Sequence, residues 1–478
     1  MTSITSGAHS RLAGLVIACC ATVAFAEPQA PTGSDIVRPK YQTQRFTEDW
    51  SSLAGHDLGA TGDPLDMLKY IPLSDDGAIW VSFGGQARVR LEHWQNFGFG
   101  RTNDDNFVLG RLFFHSDIHF GEHVRVFLEG KSAMSTDRDL PGGKRTIDVD
   151  ELDMHNFFGE LAVPLSDEGT LTVRAGRQEL LFGRQRLVSP LDWANTRRAF
   201  DGVSLIAAMD ELTVTGFWTR TVPVQKYDFN DSDANTDFYG IYAQGKVPGT
   251  QISLDVYWLA LETEMAAYNG TTGHEDRHTV GGRISGMIGE TGVGYDFEGA
   301  YQFGEVGSAD IDAFMVDGEL NYTFTDAPGA PRLHVGAGFA SGDRSTGGDV
   351  QTFSQLFPLG HAYLGFIDLV GRQNVINFTP GLTVKPIDKL TVKLDGHLFW
   401  IADDSDALYN AGGGVARPAG SGHSSEVGAE IDLLVIYQID RNQQAMLGYS
   451  HFFAGPFVKQ SGGQDDIDFA YLGYQFTF

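Results

Sequence analysis

Between residues 174 and 198 the chain places six arginines, Arg174, Arg177, Arg184, Arg186, Arg197 and Arg198, beside only two acids, Glu179 and Asp192. The whole sequence carries 62 acids against 34 lysines and arginines, a net charge of −28, so this stretch reverses the charge locally. A guanidinium offers a planar fork of donors that fits a carboxylate bidentately. Arg88, Arg90, Arg111 and Arg125 stand on the polar faces of alternating segments further upstream. Fixed cations around an aqueous path favour an anionic solute over a neutral one. The same arginines could instead pair with Glu92, Asp117 and Glu129 and brace a wall, and both readings stay open at this point.

Other constellations carry less. His274-Glu-Asp-Arg-His278 is a literal H-E-x-x-H, which binds zinc only on a helix, where both imidazoles share a face. Here glycines precede it and Thr279-Val280-Gly281 follows, a loop running into a strand, in which residues four apart are about 13 Å distant. Asp231, Asp233, Asn235 and Asp237 have the spaced oxygens of a calcium loop but lack its turn glycine and distal glutamate. A solvated loop is the expectation there, with calcium, or bridging of lipopolysaccharide through divalent ions, as the other reading. No cofactor is expected. There is no G-x-S-x-G elbow, P-loop or dinucleotide fingerprint, and a barrel enzyme such as a lipid hydrolase would need a Ser–His pair on adjacent strands that the sequence does not offer.

The elements that would position these residues are strands. Val81, Phe83, Val89 and Leu91 alternate with Ser82, Gln86, Arg88, Arg90 and Glu92; the last residues place Ala470, Leu472, Tyr474, Phe476 and Phe478 on one face and Tyr471, Gly473, Gln475 and Thr477 on the other. Apolar faces ending in aromatics, opposite heavily charged faces, suit a lipid belt and a wet lumen. No run of some 18 apolar residues exists, and a membrane protein without one must be a closed barrel. Strands are expected near 80–94, 106–119, 123–134, 152–163, 170–182, 200–208, 211–221, 236–247, 250–264, 276–287, 291–304, 310–324, 331–341, 373–385, 389–401, 425–438, 443–454 and 466–478. Short connections (Gly121-Glu122, Met209-Asp210, Pro248-Gly249) alternate with long ones (95–105, 135–151, 183–199, 222–235, 342–372, 402–424, 455–465), as periplasmic turns and extracellular loops do. The fold class is therefore all-β, a transmembrane antiparallel β-barrel of about 18 strands. At ~4.8 Å spacing its radius is on the order of 18 Å, too wide for side chains alone to fill.

Three regions result. Residues 1–26, with Arg11, an apolar run and Ala24-Phe25-Ala26, read as a signal peptide cleaved near Ala26. Cys19 and Cys20 lie within it, so the mature chain would have no thiol, and losing Arg11 would take the charge from −28 to −29. Residues 27–79, with Pro28, Pro31, Pro64 and Pro72, read as a poorly structured periplasmic lead-in, and residues 80–478 as the barrel. The bacterial outer membrane is the expected location, and the acidic excess argues against nucleic acid as a partner.

Phe182-Gly-Arg-Gln-Arg-Leu187, with the related Gly176-Arg-Gln-Glu-Leu180, resembles the core motif of the alginate export family of outer-membrane barrels. The resemblance continues through Asn195, Arg198, Phe200-Asp201-Gly202, Arg277 to Gly281, Ser341-Gly342-Asp343, Phe357-Pro358, His361, Tyr363, Gly365, Asp368, Asn374, Asp406 to Asn410 and Glu430-Ile-Asp432. It implies an eighteen-stranded monomeric barrel with an arginine-rich lumen passing an anionic polysaccharide or oligosaccharide such as alginate, passively and outward. An anion-selective uptake porin for small solutes is the alternative.

Loop 342–372 is unusually apolar for an external loop, with Phe353, Leu356, Phe357, Leu364, Phe366 and Ile367. It is expected to fold into the barrel mouth, with His361 and Asp368 near the path; packing against lipopolysaccharide or a neighbouring subunit is the other reading.

Overall fold

A computed structural model describes residues 36–166, 168–420 and 422–478. The expected signal peptide, and residues 27–35 of the lead-in, lie outside the described residues. Within them, eighteen antiparallel strands close one barrel. In chain order they are β1 (Ile79–Gln95), β2 (Asp105–Phe120), β3 (Val124–Ser135), β4 (Asp150–Ser166), β5 (Gly169–Gln178), β6 (Phe200–Met209), β7 (Leu212–Thr221), β8 (Thr236–Lys246), β9 (Ser253–Tyr268), β10 (Thr271–Met287), β11 (Val293–Val306), β12 (Ala309–Thr323), β13 (Arg332–Ala340), β14 (Val375–Ile387), β15 (Leu390–Ile401), β16 (Glu426–Gln438), β17 (Gln443–Ala454) and β18 (Ile467–Thr477).

Each strand pairs with its sequence neighbours, and β1 also pairs with β18, with Leu91 opposite Leu472 and Arg88 opposite Gln475. Closure leaves no strand edge open, which lipid requires because it offers the backbone no hydrogen bonds. Side chains alternate with period two. Leu91, Leu112, Phe114, Leu205, Val256, Val316 and Leu472 are exposed on the outside, while Arg88, Arg90, Arg111, His115, Asp255 and Glu298 are buried on the inside.

The expected gap between residues 264 and 276 is instead a tight hairpin. Asn269 and Gly270 both have positive φ, +37° and +90°, as the two central residues of a primed turn require. The whole of His274–His278 therefore lies in β10, and its two histidines cannot share a metal.

The lead-in differs from the expectation of little structure. From residue 36 on it forms four short 3-10 turns, and Ile71–Pro72 adds to the start of β1. Pro64 does not disrupt it. It opens the turn Pro64–Leu68, where no donor is needed, and the Asp63 side chain accepts from Leu65 N at 2.9 Å. Phe46 packs edge-on against the stacked pair Phe127 and Phe158 of the inner wall, with centroids 5.7 and 5.2 Å away. Arg45 donates to Gly85 O of β1 and to Phe478 O at the end of the chain, so the lead-in bridges the barrel seam.

Two long connections also turn inward: residues 179–199, the first inner loop, and residues 341–374, the second. They meet at a parallel bridge between Val188 and Phe357. Leu180, Leu187 and Val188 of the first, with Phe353, Leu364, Ile367 and Val370 of the second, join wall residues such as Phe107, Phe200, Phe238, Leu259, Phe399 and Phe452 in one buried apolar cluster. Burying each such side chain contributes about 1.5–3 kcal/mol, which is why an apolar loop folds inward rather than facing water.

Candidate functional site

The ten candidate arginines all reach the lumen, but most are engaged there. Arg88, Arg90 and Arg111 project from the inner faces of β1 and β2 onto the backbone of the first inner loop. Arg88 donates to the carbonyls of Asp192, Trp193 and Ala194 at 2.9, 3.1 and 2.9 Å. Arg90 donates to Trp193 O at 3.0 Å and to Glu92 at 2.7 Å, and its guanidinium lies 3.8 Å over the Trp193 ring. Arg111 donates to the carbonyls of Asp192 and Ala194 and to the Asp192 carboxylate, each at 2.9 Å. Three arginines thus satisfy one tight run of carbonyls that would otherwise be buried without donors.

Lower in the barrel, Arg125 binds Asp117, Glu160 and Phe46 O, and Arg174 binds Glu160 while lying 4.4 Å over the Phe46 ring. Both therefore hold the lead-in. Arg177 joins Asp153, Asp201 and Asn230 O. Arg186 is enclosed by three acids, Asp296 at 2.7 Å, Asp317 at 2.8 Å and Glu298 at 3.1 Å. Arg197 contacts Glu179, Asp192 and Thr43 O. Partial burial works against ionisation of Asp192, yet Arg111, Arg197 and Arg88 hold its carboxyl well below the usual carboxylate range. Burial raises Glu179 to about 8 in spite of Arg197.

Two arginines stand apart. Arg198 is bonded only to carbonyls, Ser189 O at 3.0 Å and Phe357 O at 2.7 Å, and so ties the two inner loops together. Burial without a carboxylate lowers its guanidinium to about 10, which still leaves it charged at neutral pH. Arg184 has 44% of its side chain exposed, and its nearest acid, Asp296, is 3.7 Å away. Of the two readings of these arginines, bracing of the wall and loops describes most of them. Charge facing a lumen in an acidic chain attracts partner acids and backbone, so nine of these arginines bind protein groups closely, while Arg184 is the most exposed of the ten.

The second inner loop sits inside, as its apolar residues require. Its Phe366 N and Ile367 N donate to Asp432 and Glu430 on β16, at 3.2 and 2.9 Å. Gly365, with φ +89°, has no room for a Cβ, which would fall 2.5 Å from the Glu430 carboxylate. His361 lies between Trp193 and Phe366, at 3.7 and 4.6 Å between centroids, and its Nδ1 is 3.2 Å from Asp368, whose side chain is 32% exposed. The sequence reading placed His361 and Asp368 beside the path but missed Trp193, their partner. Only its position within the arginine-rich segment could have drawn attention to it.

The calcium candidates do not converge. Asp233 accepts from Asn235 N and Thr236 Oγ1, Asp237 pairs with Arg220 at 3.1 Å, and Asp231 is exposed. Among the described residues no three His, Cys, Asp or Glu side chains are grouped as a metal site requires.

A closed barrel with an apolar outer belt, a charged inner wall and loops folded inside is an outer-membrane channel of the porin type. The chain belongs to the alginate export family, which it matches over residues 79–470. No curated protein matches it. Several solved barrels of Pseudomonas aeruginosa are similar. OpdO shares 11% identity at a TM-score of 0.54, with 83% of this chain and 97% of that chain covered. The outer membrane protein OprD shares 12% at 0.52, with 83% and 94% covered. OccK2 (OpdF), solved in complex with glucuronate, shares 12% at 0.51, with 83% and 98% covered. At these identities the likeness is one of fold.

Proposed function

We propose that this protein passes a carboxylated saccharide, an acidic oligosaccharide or polymer of the alginate kind, outward across the outer membrane without catalysing any reaction on it. The observation that carries this reading is Arg184, a solvent-exposed guanidinium on an inner loop of a chain that belongs to the alginate export family. The glucuronate bound to OccK2 (OpdF) supports a carboxylated sugar as a solute for barrels of this shape. The proposal takes the barrel as a monomer, with lipopolysaccharide around its outer loops.

A second reading, uptake of small anions, rests on a different observation. The two inner loops fill much of the lumen with apolar side chains, which suits a short solute better than a long chain. Conductance of the purified protein in planar bilayers, with uronate oligomers of increasing length, tests both. Transient block that persists for long oligomers supports export of a polymer; block confined to monomers and dimers supports uptake. A conductance indifferent to every uronate and equal for cations and anions overturns both.

A further inference from the structure

The lead-in and the inner wall enclose a cavity of about 630 Å³ at the periplasmic mouth, on the side of the short turns. It is bounded by residues 38–41 of the lead-in, by the β16–β17 turn with Arg441, and by the inner faces of β17 and β18. Pockets of several hundred Å³ are of the size that encloses a small ligand.

Its chemistry is uneven for so acidic a chain. Three cations line it, Arg38, Lys40 and Arg441, and no carboxylate does. Two acids stand behind the wall: Asp66, buried and bound by Arg38 at 2.6 Å, and Asp63, 3.7 Å from Arg441. Arg441 is also 3.8 Å from Asp66, so two arginines share these two acids. Lys40 is exposed and forms no ion pair among the described residues, which leaves the cavity with a net positive charge. The polar wall adds neutral hydrogen-bonding groups. Gln444 and Gln475 face each other across β17 and β18 and both line the cavity. Gln444 makes no side-chain hydrogen bond among the described residues, so its amide, both donor and acceptor, is available to a hydroxyl. Tyr41 is held by Arg441 at 5.1 Å, Arg45 at 4.9 Å and Trp50 at 6.1 Å, and its hydroxyl accepts from Asn442 at 2.9 Å, so it fixes the shape of this wall.

Amides for hydroxyls and an unpaired ammonium for a carboxylate, in a cavity of this size, together describe recognition of an acidic sugar. We propose that this cavity is a binding site for a carboxylated saccharide at the periplasmic end of the barrel, the first station of the solute on its way in from the periplasm. The site rests on the channel reading for its purpose, but its occupancy is a separate matter. None of the arginines of the inner loops, Arg184 included, lines it.

Calorimetric titration of the detergent-solubilised full-length protein with trigalacturonate, and with neutral maltotriose, tests the site. Trigalacturonate should bind and maltotriose should bind at least tenfold more weakly. Lys40→Glu, at an exposed residue without partners, should weaken trigalacturonate at least tenfold, and Gln444→Ala severalfold. Equal affinity for the two sugars, or affinity unchanged in both variants, overturns the site. Wild-type conductance is measured in parallel. A conducting protein whose trigalacturonate affinity ignores Lys40→Glu rejects the site and leaves the channel reading standing. A protein that does not conduct but loses trigalacturonate on Lys40→Glu keeps the site and loses the channel.

Discussion

The rings of Trp193 and His361 stack 3.7 Å apart with their planes 11° from parallel, joining the two inner loops beside the wall strands that carry Arg90 and Tyr471. Arg90 covers the far face of Trp193 at 3.8 Å, and Phe366 covers the far face of His361 at 4.6 Å. The column runs from β1, through both loops, toward Lys393 of β15, whose ammonium is 5.7 Å from the Phe366 ring. Neither loop can leave the lumen without breaking it.

The first prediction concerns that column. Trp193→Ala should uncouple the loops and raise single-channel conductance and its noise. A double-mutant cycle with His361→Ala should return a coupling of about 0.5–1.5 kcal/mol, the range for aromatic pairs. Additive effects of the two substitutions would show that the stack does not hold the loops.

Arg184 and Arg186 are two residues apart and should behave differently. Arg184→Ala removes an exposed cation and should lower anion selectivity, read as a shift of reversal potential, with little change in stability. Arg186→Ala leaves Asp296, Glu298 and Asp317 facing one another without their counter-ion. It should cost about 3–5 kcal/mol in urea unfolding, as loss of one partner of a buried ion pair does. Equal stability of the two variants would contradict the assignment of Arg186 to the wall.

Phe46 anchors the lead-in edge-on against the stacked rings of Phe127 and Phe158. Phe46→Ala should cost about 3–5 kcal/mol of docking free energy and expose residues 36–78 to protease, with the barrel itself left intact. Cleavage at the wild-type rate would sink the idea that this contact holds the segment.

Docking of the lead-in should depend on pH through Lys69. Burial, with Arg45 nearby, lowers its ammonium from an ordinary 10.5 to about 7 in the docked state, where it donates to Phe83 O. Docking is then fully supported above 10.5, weakens as the pH falls between these two values, and levels off below 7. Protease protection of residues 36–78 should follow that curve, and Lys69→Met should flatten it. A wild-type profile matching Lys69→Met would remove Lys69 as the cause.

Much of the architecture is legible in the residue order. Alternation of apolar and polar side chains is local, so the outward Leu91, Leu112 and Leu472 and the inward Arg88, Arg111 and Gln475 can be assigned without a fold. That the second inner loop must be covered is legible too, since Phe353, Leu364 and Ile367 have no stable place in water, but the sequence left the barrel mouth and an outside partner as alternatives, and the fold chose the first. The chain therefore determined by itself that it forms a barrel, which face of each strand meets lipid, and that cations gather inside.

Only the tertiary structure decided what those cations touch. Arg186 meets Asp296, Glu298 and Asp317 from more than a hundred residues away, and Arg198 meets Phe357 O of the other inner loop. Arg88 and Arg111 find carbonyls, which no side-chain pattern announces. Closure of the barrel sets which strands face one another, and the loops then fill the space between them. Whether an inward arginine is free or braced depends on that long-range placement, because ion pairing falls off within a few ångströms while the partners are scattered along the whole chain.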